Sequence, residues 1–246
     1  MKEFALITGS NSGIGKAIAE RLYARGKGII LTGRNEARLA EVQSNLPGSF
    51  ALACDLQKDL DVDRLARFVE EQLKESDGKL TALINNAGVY RRATVNDSTD
   101  QEWKEQFDTN FFGPVRLTKK MFGLLKKSAP SCVINISSTL GLKPVSHTGA
   151  YSATKAAMNS WTQTLALEWA EHNIRVNAIC PGLVDTPIHD FHEESDEGSR
   201  KKQAHQMQPL KRMGQPEDIA DAAEFLISQT WTTGALLSID GGIYLV

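Results

Sequence analysis

The feature that most constrains the fold of this chain is a series of short apolar segments separated by segments with helical periodicity. Most of the apolar segments are rich in Ile, Leu, Val and Ala and lack the strict alternation that marks a half-exposed strand. Strands buried on both faces and joined by helical crossovers form parallel sheets with helices on either side. The segments are residues 4–7, 28–32, 50–54, 80–84, 132–137, 174–179 and 235–239. We therefore predict an α/β fold with a doubly wound, seven-stranded parallel sheet and helices on both faces.

The segments between the predicted strands carry the apolar stripes and the end signals of helices. Thr99 with Glu102 fits a capping box, and Pro216 fits the first position of a helix. The apolar faces of two of these helices are predicted to contain Ile14, Ala17, Ile18 and Leu22, and Val62, Leu65, Phe68, Val69 and Leu73.

The length of 246 residues exceeds that of a usual domain, but α/β folds of this size often form around one continuous sheet. We predict a single dinucleotide-binding catalytic domain over residues 1–246. One polar, irregular insertion, at about residues 183–213, follows the carboxyl end of a predicted strand. Ligands bind at that edge of open α/β sheets, so the insertion is predicted to be a substrate lid.

Composition and charge exclude several classes of partner. The formal net charge of -2 gives no electrostatic footprint for a nucleic acid, and no segment is long and apolar enough to span a bilayer. The first residues lead directly into a strand and lack the pattern of a signal peptide. Cys54, Cys132 and Cys180 each lie in an apolar segment and are predicted to be buried thiols of a cytoplasmic protein.

One cluster of metal-binding residue types occurs within the polar insertion. His189 and His192 stand beside Glu193 and Glu194, which makes a metal site conceivable. No second cluster completes a coordination sphere, and a solvated polar segment explains the same residues. We predict no metal.

A glycine-rich turn follows the first predicted strand. Gly9, Gly13 and Gly15 open the first helix with the spacing G-x-x-x-G-x-G. Glycines there allow a tight turn and a close approach of the backbone to a pyrophosphate, whose charge the N–H groups of a helix start stabilise. A purely structural turn would use the same residues, but the position directly after the first strand favours a nucleotide site.

Polar residues also follow the third and fourth strands. Asp55 comes after the third strand, and Asn85 to Gly88 come after the fourth. Both groups are predicted at the carboxyl edge of the sheet, where a nucleotide would bind. The alternative is that Asp55 caps a helix and that the Asn-Asn-Ala-Gly sequence only forms a turn.

Two residues with proton chemistry share a helical face. Tyr151 and Lys155 are four positions apart, so that their side chains are neighbours. A tyrosine has an ordinary pKa of about 10, and a nearby ammonium group favours its phenolate and so lowers that pKa. Ser138, after the fifth strand, supplies a hydroxyl that can hold a substrate oxygen beside the phenol.

A proline interrupts the long helix that begins after Thr99. Pro114 lacks an N–H, and its ring clashes with the carbonyl of Asn110, four residues earlier. The sequence therefore predicts a kink that leaves the Asn110 carbonyl free to hold a water. A helix break without chemical purpose is the alternative.

Taken together in order and spacing, these motifs resemble the classical short-chain dehydrogenase/reductase family. The resemblance runs from Phe4 to Asp240-Gly241-Gly242. The matching positions are Thr8 and Gly9, Gly13 to Gly15, Asp55, Asn85 to Gly88, Asn110, Ser138, Tyr151, Lys155, Pro181, Gly182 and Thr186.

The resemblance implies a Rossmann-like fold and a role for each matched residue. Tyr151 would be the general acid or base, Ser138 would orient the carbonyl, and Lys155 would hold the nicotinamide ribose and tune Tyr151. Asn110 would anchor, through its main chain, a water that links Lys155 to solvent. The implied cofactor contacts are Gly9, Ser12, Gly13, Ile14, Gly15, Arg34, Asp55, Leu56, Asn86, Ala87, Gly88, Tyr151, Lys155, Pro181, Gly182, Val184 and Thr186.

The end of the second strand predicts the choice of cofactor. NAD selection usually needs a carboxylate there, which would repel a 2′-phosphate. Gly33 offers no carboxylate, and Arg34 brings a charged fork suited to phosphate, so we predict NADP(H) in preference to NAD(H). Ser12 is neutral where many NADP-using relatives have a second basic residue, and Arg34 could instead stack on adenine, which leaves NAD(H) as the alternative.

The predicted function is a hydride transfer between NADP(H) and a small ketone or alcohol. The resemblance leaves open a 3-oxoacyl-acyl-carrier-protein reductase and an NAD-dependent sugar or polyol dehydrogenase. An epimerase or dehydratase would have a larger carboxyl-terminal region, and a nucleotide sensor would have lost Ser138, Tyr151 or Lys155. Arg91 and Arg92 suit either an acidic substrate or a solvated loop.

The resemblance also implies a homotetramer. The helices carrying Asn110 and Tyr151 would pack against their copies, with Phe122 and Trp161 as anchors. The apolar residues 243–246 would be buried at a second contact.

Overall fold

The structure, a computed structural model, describes residues 1–188 and 206–246. It contains a seven-stranded sheet in which every neighbouring pair of strands is parallel. The strands are β1 (Lys2–Thr8), β2 (Gly28–Gly33), β3 (Phe50–Ala53), β4 (Gly78–Asn85), β5 (Ser131–Ile136), β6 (Ile174–Pro181) and β7 (Leu236–Ile239). The predicted fold is confirmed, and the strands lie where the apolar segments place them.

The order of the strands locates a crevice at the centre of the sheet. Along the sheet the order is β3-β2-β1-β4-β5-β6-β7. The chain moves outward from β1 to β3 and then returns to place β4 on the other side of β1. Ligands of open α/β sheets bind at such a switch point, outside the carboxyl ends of the strands. The ends of β1 and β4 are therefore the expected position of a site.

Helices cover both faces of the sheet. They are α1 (Gly13–Ala24), α2 (Glu36–Ser44), α3 (Asp59–Glu75), α4 (Asp100–Phe107), α5 (Gly113–Lys127), α6 (Gly149–Trp169) and α7 (Pro216–Ser228). Helices α1, α2 and α7 pack on one face around Ile18 and Ile219, and α3, α5 and α6 pack on the other around Leu65 and Leu117. The predicted apolar stripes of α1 and α3 face these two cores.

The predicted helix signals lie at real helix ends. Thr99 and Glu102 form a reciprocal capping box at the start of α4, and Pro216 is the first residue of α7. Ahead of Pro114 a π-helical turn, Asp108–Phe112, joins α4 to α5, and the N–H of Gly113 bonds to the carbonyl of Asp108. The predicted interruption thus takes the form of a π-helical turn.

A polar network crosses the centre of the apolar sheet. Asn85 on β4 and Asn135 on β5 are register partners, and the Asn85 amide nitrogen donates to the Asn135 amide oxygen at 2.8 Å. The two amides also bond to Thr118 on α5 and Thr162 on α6, each at 2.9 Å. These four buried residues tie β4 and β5 to the helices above them.

Other sequence predictions concern thiols, membranes and metals. All three cysteines are free and buried, as predicted. Within residues 1–188 and 206–246 no helix is long and apolar enough to cross a membrane. The same residues contain no group of three His, Cys, Asp or Glu side chains placed to hold a metal. His189 and His192, and the central part of the predicted lid, lie outside the described residues.

Candidate active site

A cavity of about 1460 Å³ opens at the carboxyl ends of the central strands. Residues that follow β1, β2, β3, β4, β5 and β6 line it, as the strand order predicts. The predicted site residues among its walls are Gly9, Ser12, Gly13, Ile14, Arg34, Asp55, Leu56, Asn86, Ala87, Gly88, Ser138, Tyr151, Lys155, Pro181, Gly182, Val184 and Thr186. Gly15 and Asn110 are not among the residues that line the cavity.

Asn86 holds the glycine turn in place. Its amide nitrogen donates to the carbonyl of Thr8 at 2.8 Å and to that of Gly9 at 3.2 Å. The hydroxyl of Thr8 accepts the N–H groups of Asn86 and Ala87, each at 2.9 Å. The ends of β1 and β4 are thereby locked together on either side of the switch point.

The glycines of the turn are required by close contacts. Gly9 has a φ of +63°, and a Cβ there would lie 2.9 Å from the Cα of Ala87. A Cβ on Gly15 would lie 2.4 Å from both the Asn86 amide nitrogen and the Gly9 carbonyl oxygen. Gly15 therefore serves the packing of the turn, while the start of α1 at Gly13 remains at the cavity.

Basic side chains line the cavity beyond β2. Arg34 and Arg38 are both exposed, and Asn35 between them caps α2 by accepting the N–H of Arg38 at 3.0 Å. Sequence reasoning identified Arg34 but missed Arg38. Arg38 follows Arg34 by four positions at the start of a helix. This spacing was the available signal, because residues four positions apart in a helical segment are neighbours.

Asp55 lines the cavity and also forms a turn through its carboxylate. Its carboxylate accepts the N–H of Gln57 at 3.1 Å, while its own N–H donates to Asp61 at 2.9 Å. Helix α3 is capped at Lys58, so Asp55 does not cap it. The alternative function as a helix cap is therefore wrong, although Asp55 does form a turn.

Tyr151 and Lys155 project from the first turns of α6 toward Ser138. The Lys155 ammonium nitrogen lies 5.6 Å from the centroid of the Tyr151 ring. Lys155 is 4% exposed and donates to the carbonyl of Ile136 at 2.8 Å. The Ser138 hydroxyl bonds to the Tyr151 side chain and accepts the N–H of Leu140 at 3.1 Å. Two hydroxyls and one buried cation thus meet at one side of the cavity.

Burial favours the neutral forms of Tyr151 and Lys155. It lowers the pKa of Lys155 to about 8, against a small upward effect from Cys180. Burial also raises the pKa of Tyr151, while the hydrogen bond from Ser138 acts in the opposite direction. The sequence analysis predicted that Lys155 lowers the tyrosine pKa, but burial of Tyr151 raises that pKa above its ordinary value. The Tyr151 hydroxyl is therefore protonated at neutral pH.

Asn110 supports the cavity from behind. It is fully buried in the π-helical turn, and its amide oxygen accepts the N–H of Val89 at 2.8 Å. Its amide nitrogen donates to the carbonyl of Val89 at 2.9 Å and contacts the Thr154 hydroxyl at 3.3 Å. The side chain therefore fixes the loop after Gly88 against α6.

Tyr90 is a cavity residue that sequence reasoning missed. Its ring meets that of Tyr151 edge-on, with centroids 4.8 Å apart and an interplanar angle of 72°. Burial raises the pKa of Tyr90, and Arg92 opposes that rise. The signal was an aromatic residue two positions after Gly88, at the same edge of the sheet. The sequence analysis also did not predict the wall residues Leu140, Val145 and Ile243. Ile188 and Met207, which belong to the insertion predicted to be a lid, line the cavity as well.

The fold and this cavity define a dinucleotide-binding protein of the doubly wound α/β class. A family model described as Enoyl-(Acyl carrier protein) reductase matches residues 9–244. The chain belongs to the short-chain dehydrogenase/reductase family, which confirms the resemblance. It is accordingly an enzyme of the oxidoreductase class.

Named relatives agree with this membership. The chain is 35% identical to L-fucose dehydrogenase of Bos taurus over 98% of its length and 88% of the relative. It is 32% identical to carbonyl reductase family member 4 of Danio rerio, with both chains fully covered.

Two solved structures match nearly the whole chain. The 3-ketoacyl-(acyl-carrier-protein) reductase of Brucella melitensis, complexed with NADH, is 30% identical, with a TM-score of 0.89 over 98% of both chains. A single-residue variant of actinorhodin polyketide ketoreductase, with NADPH, is also 30% identical, with a TM-score of 0.92 over 100% of this chain and 98% of the other.

Proposed function

We propose that the chain transfers hydride between NADP(H) and a small ketone or alcohol, with Ser138, Tyr151, Lys155 and Asn110 as its catalytic set. The observation that carries this proposal is the meeting of the Ser138 hydroxyl, the Tyr151 hydroxyl and the Lys155 ammonium in one cavity. That cavity also contains the glycine turn, so a nucleotide and a substrate would lie side by side.

The two hydroxyls suit a carbonyl oxygen. In reduction, Ser138 and Tyr151 donate hydrogen bonds to the oxygen and polarise the carbonyl. Bound NADPH would supply the hydride that adds to the carbonyl carbon. Tyr151 gives its proton to the oxygen and becomes a phenolate, and in the reverse direction it accepts the proton of the alcohol.

Lys155 supports the charge that develops on Tyr151. Its ammonium lies close enough to the ring to stabilise a phenolate. Although burial lowers the pKa of Lys155 to about 8, that value is still above 7, so Lys155 is mostly protonated at neutral pH. In this proposal Asn110 holds, through its main chain, a water that returns a proton to Lys155. The bonds from the Asn110 side chain to Val89 keep that segment rigid.

The residues present fit a dinucleotide with a 2′-phosphate. The glycine turn would hold the pyrophosphate, Asp55 and Leu56 would contact adenine, and Thr186 would contact the carboxamide. Gly33 leaves no carboxylate at the ribose, and Arg34 and Arg38 supply guanidinium groups for phosphate. NADP(H) is the favoured cofactor. NAD(H) is the alternative, in keeping with one solved relative that holds NADH.

The names of the relatives keep two narrower activities as alternatives. L-fucose dehydrogenase supports a sugar dehydrogenase, and the ketoreductases support a 3-oxoacyl-acyl-carrier-protein reductase. The presence of Ser138, Tyr151 and Lys155 in one cavity argues against a sensor without catalysis.

A homotetramer is part of the proposal. Phe122 on α5 and Trp161 on α6, the predicted anchors, are each only partly buried, so part of each ring is left for a subunit contact. Leu245 and Val246 are exposed at 82% and 70%, as expected of residues that another subunit would cover. Light scattering at micromolar concentration tests this assembly, and a monomer would contradict it.

The direct test of the activity uses NADPH absorbance. Oxidation of NADPH on addition of ketones and aldehydes, with recovery of the alcohol, is the expected result. NADPH binding without turnover of any carbonyl would instead identify a nucleotide sensor.

A further inference from the structure

The cavity is strongly cationic, although the chain as a whole is slightly acidic. Among the described residues that line it, the only carboxylate is that of Asp55. The basic residues of the same walls are Arg34, Arg38, Arg91, Arg92 and Lys155. The whole chain carries a net charge of -2, so this concentration of cations in a cleft favours anionic ligands there.

The arginines form two pairs in different parts of the cavity. Arg34 and Arg38 follow β2, on the side proposed for the adenosine ribose. Arg91 and Arg92 follow β4, directly after Tyr90, whose ring contacts that of Tyr151. The second pair therefore belongs to the loop whose Tyr90 contacts Tyr151, on the side proposed for the substrate and not for the 2′-phosphate.

Arg92 is the member of this pair whose charge is available. Its guanidinium makes no hydrogen bond or ion pair with residues 1–188 or 206–246, and its interaction with Tyr90 is electrostatic. Arg91 also lines a small neighbouring cavity with Glu102 and Gln106, and its backbone N–H donates to the Gln106 amide oxygen at 3.2 Å. Within the described residues, therefore, no carboxylate neutralises this guanidinium beside Tyr90, and it can bind an external anion.

Several further walls of the same cavity are apolar. Val145 and Met207 are exposed at 56% and 57%, although both face a cavity. Leu140, Ile188 and Ile243 complete this wall. Apolar side chains left exposed in a cleft suit the apolar body of a ligand.

We propose that the substrate is a carbonyl compound with an apolar body and an anionic group, either carboxylate or phosphate, which Arg92 binds. This inference rests on the proposed function, because it places the substrate carbonyl at Ser138 and Tyr151. A charge-assisted, two-pronged contact from a guanidinium to such a group would raise affinity by about tenfold or more.

The test compares aryl ketones that carry an anionic group with neutral ketones of the same aryl framework. The first pair is 4-acetylbenzoate and its methyl ester, and the second is 4-acetylphenyl phosphate and 4-methoxyacetophenone. We expect the enzyme with saturating NADPH to prefer the anionic member of at least one pair, mainly through a lower KM. A preference in the first pair alone indicates carboxylate recognition, and a preference in the second pair alone indicates phosphate recognition. A preference in both pairs indicates a site that accepts either anion.

Variants then assign the preference to one residue. Arg92→Gln should reduce the preference by about tenfold or more and leave turnover of the neutral ketones nearly unchanged. The matched control is Arg67→Gln, which removes the same charge from an exposed position on α3 outside the cavity. Equal use of charged and neutral probes by the wild type, or an unaltered preference in Arg92→Gln, would overturn the inference.

A binding measurement separates this inference from the proposed function. Calorimetry of the four probes with the NADP⁺ complex reports affinity without turnover. If no ketone is reduced, the proposed function is wrong, but tighter binding of the anions that depends on Arg92 would still support the anion site. If the ketones are reduced and no probe binds with a charge preference, only the anion site is wrong.

Discussion

The floor and the rim of the cavity are built in opposite ways. The floor consists of buried or partly buried residues held by hydrogen bonds, namely Thr8, Asn86, Ser138, Tyr151 and Lys155. The rim consists of exposed side chains, namely Arg34, Arg38, Arg92, Val145 and Met207. No rim side chain forms a hydrogen bond with another residue within residues 1–188 and 206–246.

The difference separates chemistry from selection. A catalytic group must be held to a fraction of an ångström, which requires packing and hydrogen bonds around it. A residue that selects among ligands needs only the right charge or shape at the edge of the site. We therefore expect substitutions in the floor to affect all substrates strongly, and substitutions in the rim to change the preference among ligands.

The largest expected effect is that of Tyr151→Phe in the floor. Turnover should fall by about a hundredfold to ten-thousandfold, because the transferable proton is lost. The Kd for NADPH should hardly change, since the ring remains. Tyr23→Phe is the matched control, because the Tyr23 hydroxyl bonds to Pro47 away from the cavity. A Tyr151→Phe enzyme that keeps more than about a tenth of the wild-type rate would contradict the proposed acid.

The next largest effect is on the free energy of unfolding, which burial of the charged Lys155 lowers. Its pKa falls from an ordinary 10.5 to about 8, so below pH 8 the folded state is destabilised by a buried charge. That cost disappears as pH rises from 8 to 10.5, and at 1.36 kcal/mol per pH unit the change is about 3 kcal/mol. Urea unfolding should show wild type gaining this stability relative to Lys155→Met, which keeps the same cysteines and tyrosines. A constant difference between pH 7 and 10.5 would show that Lys155 is not desolvated.

Gly15→Ala tests the support of the floor. Its new Cβ would lie 2.4 Å from the Gly9 carbonyl oxygen, so we expect a loss of about 1–3 kcal/mol in unfolding free energy and weaker NADPH binding. Gly123→Ala, also within a helix, meets no atom within 4 Å and should stabilise the protein by about 0.5–1 kcal/mol. Similar changes in both variants would show that the turn tolerates a side chain.

The smallest expected effect is on the choice between NADPH and NADH, and it comes from substitutions at the rim. Arg34→Ala should lower kcat/KM for NADPH by about tenfold to hundredfold and leave NADH unaffected. Gly33→Asp should invert the preference. Gly33→Ala controls for crowding, because any Cβ at Gly33 would lie 2.6 Å from the Asn11 amide oxygen. Equal or better use of NADH by the wild type would remove the proposed preference for NADP(H).

The floor could be predicted from the sequence more fully than the rim. The glycine turn, the helical spacing of Tyr151 and Lys155 and the strand ends each have a structural alternative, but their order along the chain assigns them to one site. Ile243 reaches the cavity through tertiary packing, which no local pattern specifies. The pKa of Tyr151 depends on burial, and burial is a property of the folded state.

The amide pair of Asn85 and Asn135 has a consequence for how the chain finds its register. Most other positions of β4 and β5 are apolar, so a shifted pairing would still bury hydrophobic side chains. In a pairing shifted by one residue the two amides would no longer face each other, and the Asn85 amide nitrogen would lose its buried acceptor on Asn135. The pair therefore penalises misaligned pairings during folding, and the aligned strands bring the segments that begin at Asn86 and at Ser137 to the same edge of the sheet.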